Sequence, residues 1–360
     1  MDWDPSFNSQ LTLEQLEAAN LFVVPLDGER RWYRYHRLFA EFLQRQLGQS
    51  EPDLVSILHR RASTWYAQQG FRVEAIEHAL AARDFEWASD LIEAEAEAVL
   101  MRSEIATYLA WVDALPDEVV RSRPVLCLYH AWALLLAARP IHEVLARLQD
   151  ADRDRTEVSG QMAVLRAFLS AFQGEEARVA DLPCRLFNTT SEGEPLLRSL
   201  AAWYLGFSCM WRGDFVAAGH TLEQAVQISQ EAGNVMIATM ALCHRAEVYM
   251  LQGRLRAARS LYEQALDLAV DDKGAPLPIA GMALIGLGEL ARERDELDQA
   301  RRLLDEGLER TMQWGELGAL DGYIVLARLR QAQNDLHGLE EAMANAVQFA
   351  RRFDATDLDD

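Results

Sequence analysis

Lysine is all but missing: of 360 residues, Lys273 is the single one, so nearly every positive charge is an arginine. With no lysine following a glycine at its end, no glycine-rich phosphate loop of the Walker type is encoded. Cysteine is scarce. Cys127, Cys184, Cys209 and Cys243 lie far apart, with no Cys-x-x-Cys pair and no histidine at zinc-ligand spacing beside them, which points to buried reduced thiols and no metal site. Long apolar runs are lacking too. The most apolar stretch, Ala131 to Ala138, falls far short of the roughly 20 residues that span a bilayer. The amino terminus, Met1-Asp2-Trp3-Asp4-Pro5, has no apolar segment of the export type. Positive charge as a whole is in deficit, 35 basic against 56 acidic residues for a net −21, so the average surface repels phosphate polymers. These absences lead us to expect a cytoplasmic protein with no membrane contact and no nucleic-acid binding of its own.

What is present is globular. Half of the residues are apolar and a quarter charged, and the length exceeds what one compact core organises, so several domains or a repeat array is expected. Residues 1–10 read as a tail. Over residues 11–48 the pattern is helix, hairpin, helix: Leu11 to Asn20 with Thr12 as cap and Asn20 as terminator, then β-rich runs Leu21–Leu26 and Arg31–His36 joined by Asp27-Gly28. Pro25 marks the first strand as an edge. A helical stripe follows: Leu38, Phe39, Phe42, Leu43 and Leu47. This is a winged-helix-like segment.

Beyond residue 54 only helical patterns recur, irregular over 54–190 and regular over 196–350, with an acidic tail at 351–360. The regular part is a four-fold repeat. Phe215, Leu255, Leu297 and Leu336 stand 40, 42 and 39 residues apart. Three positions on come Ala218, Ala258, Ala300 and Leu339, and seven on come Leu222, Tyr262, Leu304 and Met343. Twelve positions before the three-on set stand Gly206, Ala246, Gly288 and Ala327, small residues that let two helices of one unit approach closely. Small and large positions alternating in this way belong to tetratricopeptide-type helix pairs, with a period longer than the usual 34 residues. The expected fold is mainly α, a tetratricopeptide-like right-handed α-solenoid with one β-hairpin near its start, offering an elongated concave wall.

On that wall, residues one, four and five positions after each small residue predict a groove. Its candidates are Phe207, Met210, Trp211, Glu247, Met250, Glu289, Arg292, Arg328 and Gln331, with Trp203 one turn earlier. An aromatic end grading into a charged end suits a peptide, a helix, or a small ligand with ring and polar groups. The same aromatics at helical spacing equally fit core between neighbouring helices, and their exposure decides. No catalytic constellation is visible. Glu93, Glu95 and Glu97 alternate by two and so diverge on a helix. The remaining histidines are scattered, and Cys243 and His244 point apart.

Several runs resemble one family: Ala18–Asp27, Arg31–Phe39, Leu58–Tyr66, Ala75–Phe85 and Trp111–Pro116 look like the MalT-type large ATP-binding LuxR regulators. The resemblance implies a middle region, winged helix plus tetratricopeptide-like sensor, of a bacterial transcription activator. That region receives a small-molecule inducer or a regulatory protein and governs self-association and promoter binding. ATP is expected for the full-length protein and no cofactor for these residues. DNA contact is expected only through a carboxy-terminal helix-turn-helix outside this sequence. His36, closing a strand before a helix, is the nucleotide-contact candidate, effective only with an ATPase domain, since a helix start favours anions; Arg31, Arg34 and Arg37 flank it. The competing function is a free-standing scaffold for protein partners.

Overall fold

In a computed structural model, the described residues are 9–19, 21–30, 32–137, 139–152, 162–166, 169, 187–188, 195–271, 273–314 and 317–352. The chain divides into two compact units, one ending at Asp84 and the other beginning at Phe85. The predicted solenoid architecture, with its single hairpin, is what forms.

The first unit runs α1 (Ser9–Ala18), β1 (Val23–Pro25), β2 (Tyr33–Tyr35), α2 (Arg37–Ser50), α3 (Pro52–Gln68) and α4 (Arg72–Ala81). Its strands are antiparallel, with Val23 opposite Tyr35 and Pro25 opposite Tyr33. They are half as long as the β-rich runs because Phe22 takes a left-handed φ of 60° and breaks the first. Thr12 is not the cap of α1, which begins three residues earlier, and Asn20 and Arg31 lie outside the described residues. Trp32, just before β2, sets its ring edge-on to Trp65 of α3 and Phe71 before α4, at 5.8 and 5.6 Å. This cluster ties hairpin to helices. Between α3 and α4 the buried Ser63 hydroxyl donates to the Ala75 carbonyl at 2.7 Å. The stripe predicted on α2 forms, but no residue of that helix is buried, and Leu38 and Phe42 are exposed.

The second unit opens with α5 (Phe85–Met101), α6 (Ile105–Asp113), α7 (Asp117–Arg121), α8 (Pro124–Leu136) and α9 (Ile141–Ala151). Pro124 starts α8, where a missing N–H costs nothing, and from Leu126 to Leu136 every residue is buried. Arg123, just before it, holds Glu86, Asp90 and Glu93 of α5 at 2.7, 2.7 and 3.2 Å. Four helix pairs follow: α10 (Pro195–Trp211) with α11 (Phe215–Glu231), α12 (Val235–Leu251) with α13 (Leu255–Leu268), α14 (Ala280–Glu293) with α15 (Leu297–Trp314), and α16 (Leu317–Ala332) with α17 (Leu336–Arg352). The four frame residues Phe215, Leu255, Leu297 and Leu336 each begin the second helix of a pair.

Two positions before each frame residue the backbone turns left-handed, at Gly213, Gly253, Asp295 and Asn334 with φ of 78°, 72°, 62° and 57°. Glycine, aspartate and asparagine are the residues that tolerate this conformation. Asp214 and Asp335 then cap their helices, accepting from the Ala217 and Gly338 amides at 3.0 and 2.9 Å. Two of the predicted small positions are close contacts within their pairs: a Cβ on Gly206 would meet Leu222 at 2.7 Å and one on Gly288 would meet Leu304 at 2.9 Å. First helices of successive pairs also touch, α10 with α12, α12 with α14 and α14 with α16, while α5 lies against α12 and α6 against α15.

Candidate functional site

The first helices carry the groove candidates. Two equivalent positions meet across α14 and α16, where Arg328 Nη1 donates to Glu289 Oε1 at 2.9 Å. Glu289 also receives Arg292 in bidentate fashion, Nε at 2.8 Å and Nη2 at 3.0 Å, and Arg292 reaches on to Glu293. Burial alone would raise the Glu289 carboxyl, but the bonds and charges of Arg292 and Arg328 prevail and lower it. This is a fixed carboxylate with three hydrogen bonds, the strong form of such contacts.

At the other end, Trp203, Phe207 and Trp211 follow one stripe of α10, with ring centroids 5.2 and 5.9 Å apart. His244 of α12 wedges against them, 5.0 Å from Phe207 and 5.6 Å from Trp203. The row grades from core to solvent, Trp203 being 6% exposed and Trp211 71%. Trp203 is therefore packing, while Trp211 is open surface. Next to it Met210 is half-buried, and Gln331 on α16 is exposed. Met250 turns toward its own pair, its sulfur accepting from the Tyr262 hydroxyl at 3.7 Å.

Between the two ends stand Glu247 on α12 and Asp321 on α16, a pair of acids absent from the sequence-based choice as a pair. Burial first, and then the Asp321 charge, push Glu247 up to about 8. Asp321 is raised by burial, with Arg328 opposing. Glu247 thus keeps its proton to higher pH than an ordinary carboxyl. Glu247 binds its proton more tightly folded than unfolded, so its stabilisation is full below pH 4.5 and is lost as pH rises toward about 8. Its half-exposure screens the effect. Glu247→Gln should therefore be more stable than the parent at alkaline pH by about 1 kcal/mol and equal to it near pH 4, measured by urea unfolding. Equal stability at both would remove the proton from this site.

The other sequence candidates are dispersed. His36 is exposed at the start of α2, 6.4 Å from the Phe22 ring. Glu93, Glu95 and Glu97 engage three different partners, Arg123, Arg102 and Tyr129. Cys127, Cys209 and Cys243 are buried thiols, and Cys184 lies outside the described residues. The histidines are less scattered than the spacing suggested: His59 and His78 meet with Nδ1 atoms 2.7 Å apart, beneath the Tyr66 ring. No group of three metal-ligating side chains occurs among the described residues, and no helix there is long and apolar enough to cross a membrane.

Comparison with known proteins decides the family. A model described as "MalT-like TPR region" matches residues 160–359, more than half of the chain, and one described as "MalT winged helix domain" matches residues 5–55. The chain belongs to the MalT-like family. A serine/threonine-protein kinase, PknK of Mycobacterium tuberculosis, is 30% identical over 94% of this MalT-like chain and 31% of its own length. The HTH-type transcriptional regulator MalT of Serratia proteamaculans is 28% identical over 91% of the chain and 37% of its own. The chain thus spans about a third of these curated relatives. Among solved structures, BtubC from P. vanneervenii matches with a TM-score of 0.40 and 16% identity, covering 64% of this chain and 90% of that one.

Proposed function

We propose that this chain is the signal-receiving region of a larger MalT-like regulator, non-catalytic in itself, whose groove on α10, α12, α14 and α16 binds an effector or a regulatory partner. The observation that supports this reading is the open Trp211 on the first helix of one pair and the fixed Glu289–Arg292–Arg328 cluster on the first helices of two later ones. One end offers stacking faces and the other oriented charges, so a ligand with both a flat and a polar part is held in one orientation. The relatives support an input role. Proteins named for two outputs, a kinase and a DNA-binding regulator, share this region, and what they share is then not the output. ATP binding, promoter binding and the self-association they drive are assigned to other parts of the larger protein. The exposed apolar stripe of α2 and His36 are where its ATPase part would rest.

The test is a thermal-shift panel of oligosaccharides, nucleotides and short peptides. A ligand of the groove raises Tm with concentration, and Trp211→Ala, at an exposed position, keeps the unliganded Tm while losing the shift. If no member of the panel moves the parent, or Trp211→Ala responds as the parent does, the groove is not the receptor.

A further inference from the structure

Away from the groove, the helices α6 to α9 border a wide-mouthed cavity of about 530 Å³, the size of a small-ligand site. His130 of α8 is part of its lining and is 5% exposed, yet its Nδ1 has no hydrogen-bond partner among the described residues. A buried polar atom left without a partner costs about 1–3 kcal/mol. Burial, aided by Arg147 and Arg139 and opposed by Asp117, lowers this histidine to about 4. It therefore stands in the cavity wall as a neutral imidazole, its Nδ1 sealed from the open space.

The charges around it fall into two sets. Arg147 lies 2.5 Å from Asp117 and 3.5 Å from Asp150, and Arg121 reaches the same two carboxylates at 3.8 and 3.4 Å. These four neutralise one another. Arg139 is different: among the described residues it meets Glu143 alone, at 3.8 Å, and its side chain is 54% exposed. Asp113, also on the lining, has no partner among them. One carboxylate and one barely engaged guanidinium thus border the same space as the unpaired imidazole.

We propose that this cavity binds a small zwitterion of amino-acid or dipeptide size, its carboxylate on Arg139 and its ammonium on Asp113, against the wall that His130 and Leu134 form. A simple anion leaves Asp113 unused and facing it with like charge, and a simple cation does the same at Arg139. The lining is close to balanced in charge, so it exerts no net pull on either. Leu134, buried on the same wall, supplies apolar contact for a side chain.

The experiment titrates the full 360-residue chain with free amino acids and dipeptides, each beside its N-acetylated and its carboxyl-amidated form, by thermal shift and calorimetry. At least one free zwitterion raises Tm in proportion to concentration, and blocking either end weakens binding about tenfold or more. Arg139→Gln and Asp113→Asn, both at exposed side chains, weaken it similarly while leaving the unliganded Tm in place. Trp211→Ala leaves it unchanged, which separates this cavity from the groove. The proposal is overturned by silence across the panel, by blocked forms binding as well as free ones, by variants that bind like the parent, or by loss of binding in Trp211→Ala.

Discussion

Alanine at Gly281 is expected to destabilise the helical array by about 2 kcal/mol or more, whereas alanine at Gly219 should stabilise it by up to about 1 kcal/mol. Both glycines sit inside helices, α14 and α11, where alanine has the better intrinsic propensity because glycine gives up more backbone freedom on ordering. At Gly219 nothing lies within 4 Å of an added Cβ, so only propensity counts. At Gly281 a Cβ falls 2.6 Å from the Gly307 carbonyl oxygen and 2.9 Å from the Thr311 amide nitrogen. Those are backbone atoms of α15, and no rotamer change moves them. The two helices must separate, and the contacts of a close-packed pair are forfeited along its length. Gly286 tests the same idea against a side chain, since its Cβ would fall 2.2 Å from the buried Tyr262 ring. Urea unfolding of the three alanine variants gives the answer. A Gly281→Ala protein as stable as the parent would mean that α14 and α15 do not cross as closely as described.

These glycines also show what could be read from the chain beforehand. Gly206 and Gly288 were legible because they recur in register with Ala246 and Ala327, so their contact with the second helix follows from the repeat. Gly281 and Gly286 recur nowhere. Gly281 serves a crossing inside one pair, and Gly286 receives Tyr262 from the preceding pair, and a single such contact leaves no periodic trace. The groove followed the same division. Offsets from the small residue picked out Glu289 and Arg328, which do meet across α14 and α16, because both occupy the same position of the repeat. The partnerships along it, such as Glu247 with Asp321 two first helices away, depend on the curvature of the stack, which spacing does not encode. His130 was unreadable for a further reason: what marks it is a buried polar atom left unpaired, and a sequence does not list what a side chain fails to touch.

Buried histidines supply the second large effect, a loss of stability as pH falls from 6.5 toward 4. Burial lowers His244 to about 4, against a small opposing pull from the Met240 carbonyl, which its Nδ1 approaches at 2.7 Å. His130 is lowered to about 4 as well. For each, the unfolded chain takes up a proton near pH 6.5 while the folded chain resists it. Their stabilisation is therefore present above pH 6.5 and is lost as pH falls to about 4. Each contributes about 3 kcal/mol, and the two together are comparable with the whole stability of many domains. Glu247 acts in the opposite sense over part of this range, so the clean measurement is a difference. His244→Phe, which keeps the ring among Trp203 and Phe207, should flatten the pH profile of unfolding free energy by about 3 kcal/mol between pH 7 and 4 relative to the parent. The C2 proton of His244 should stay untitrated by NMR down to the acid unfolding transition. A resonance that titrates near pH 6.5 in the folded protein would show that water reaches this ring, and the packing around Trp203 at the inner end of the aromatic row would then be open.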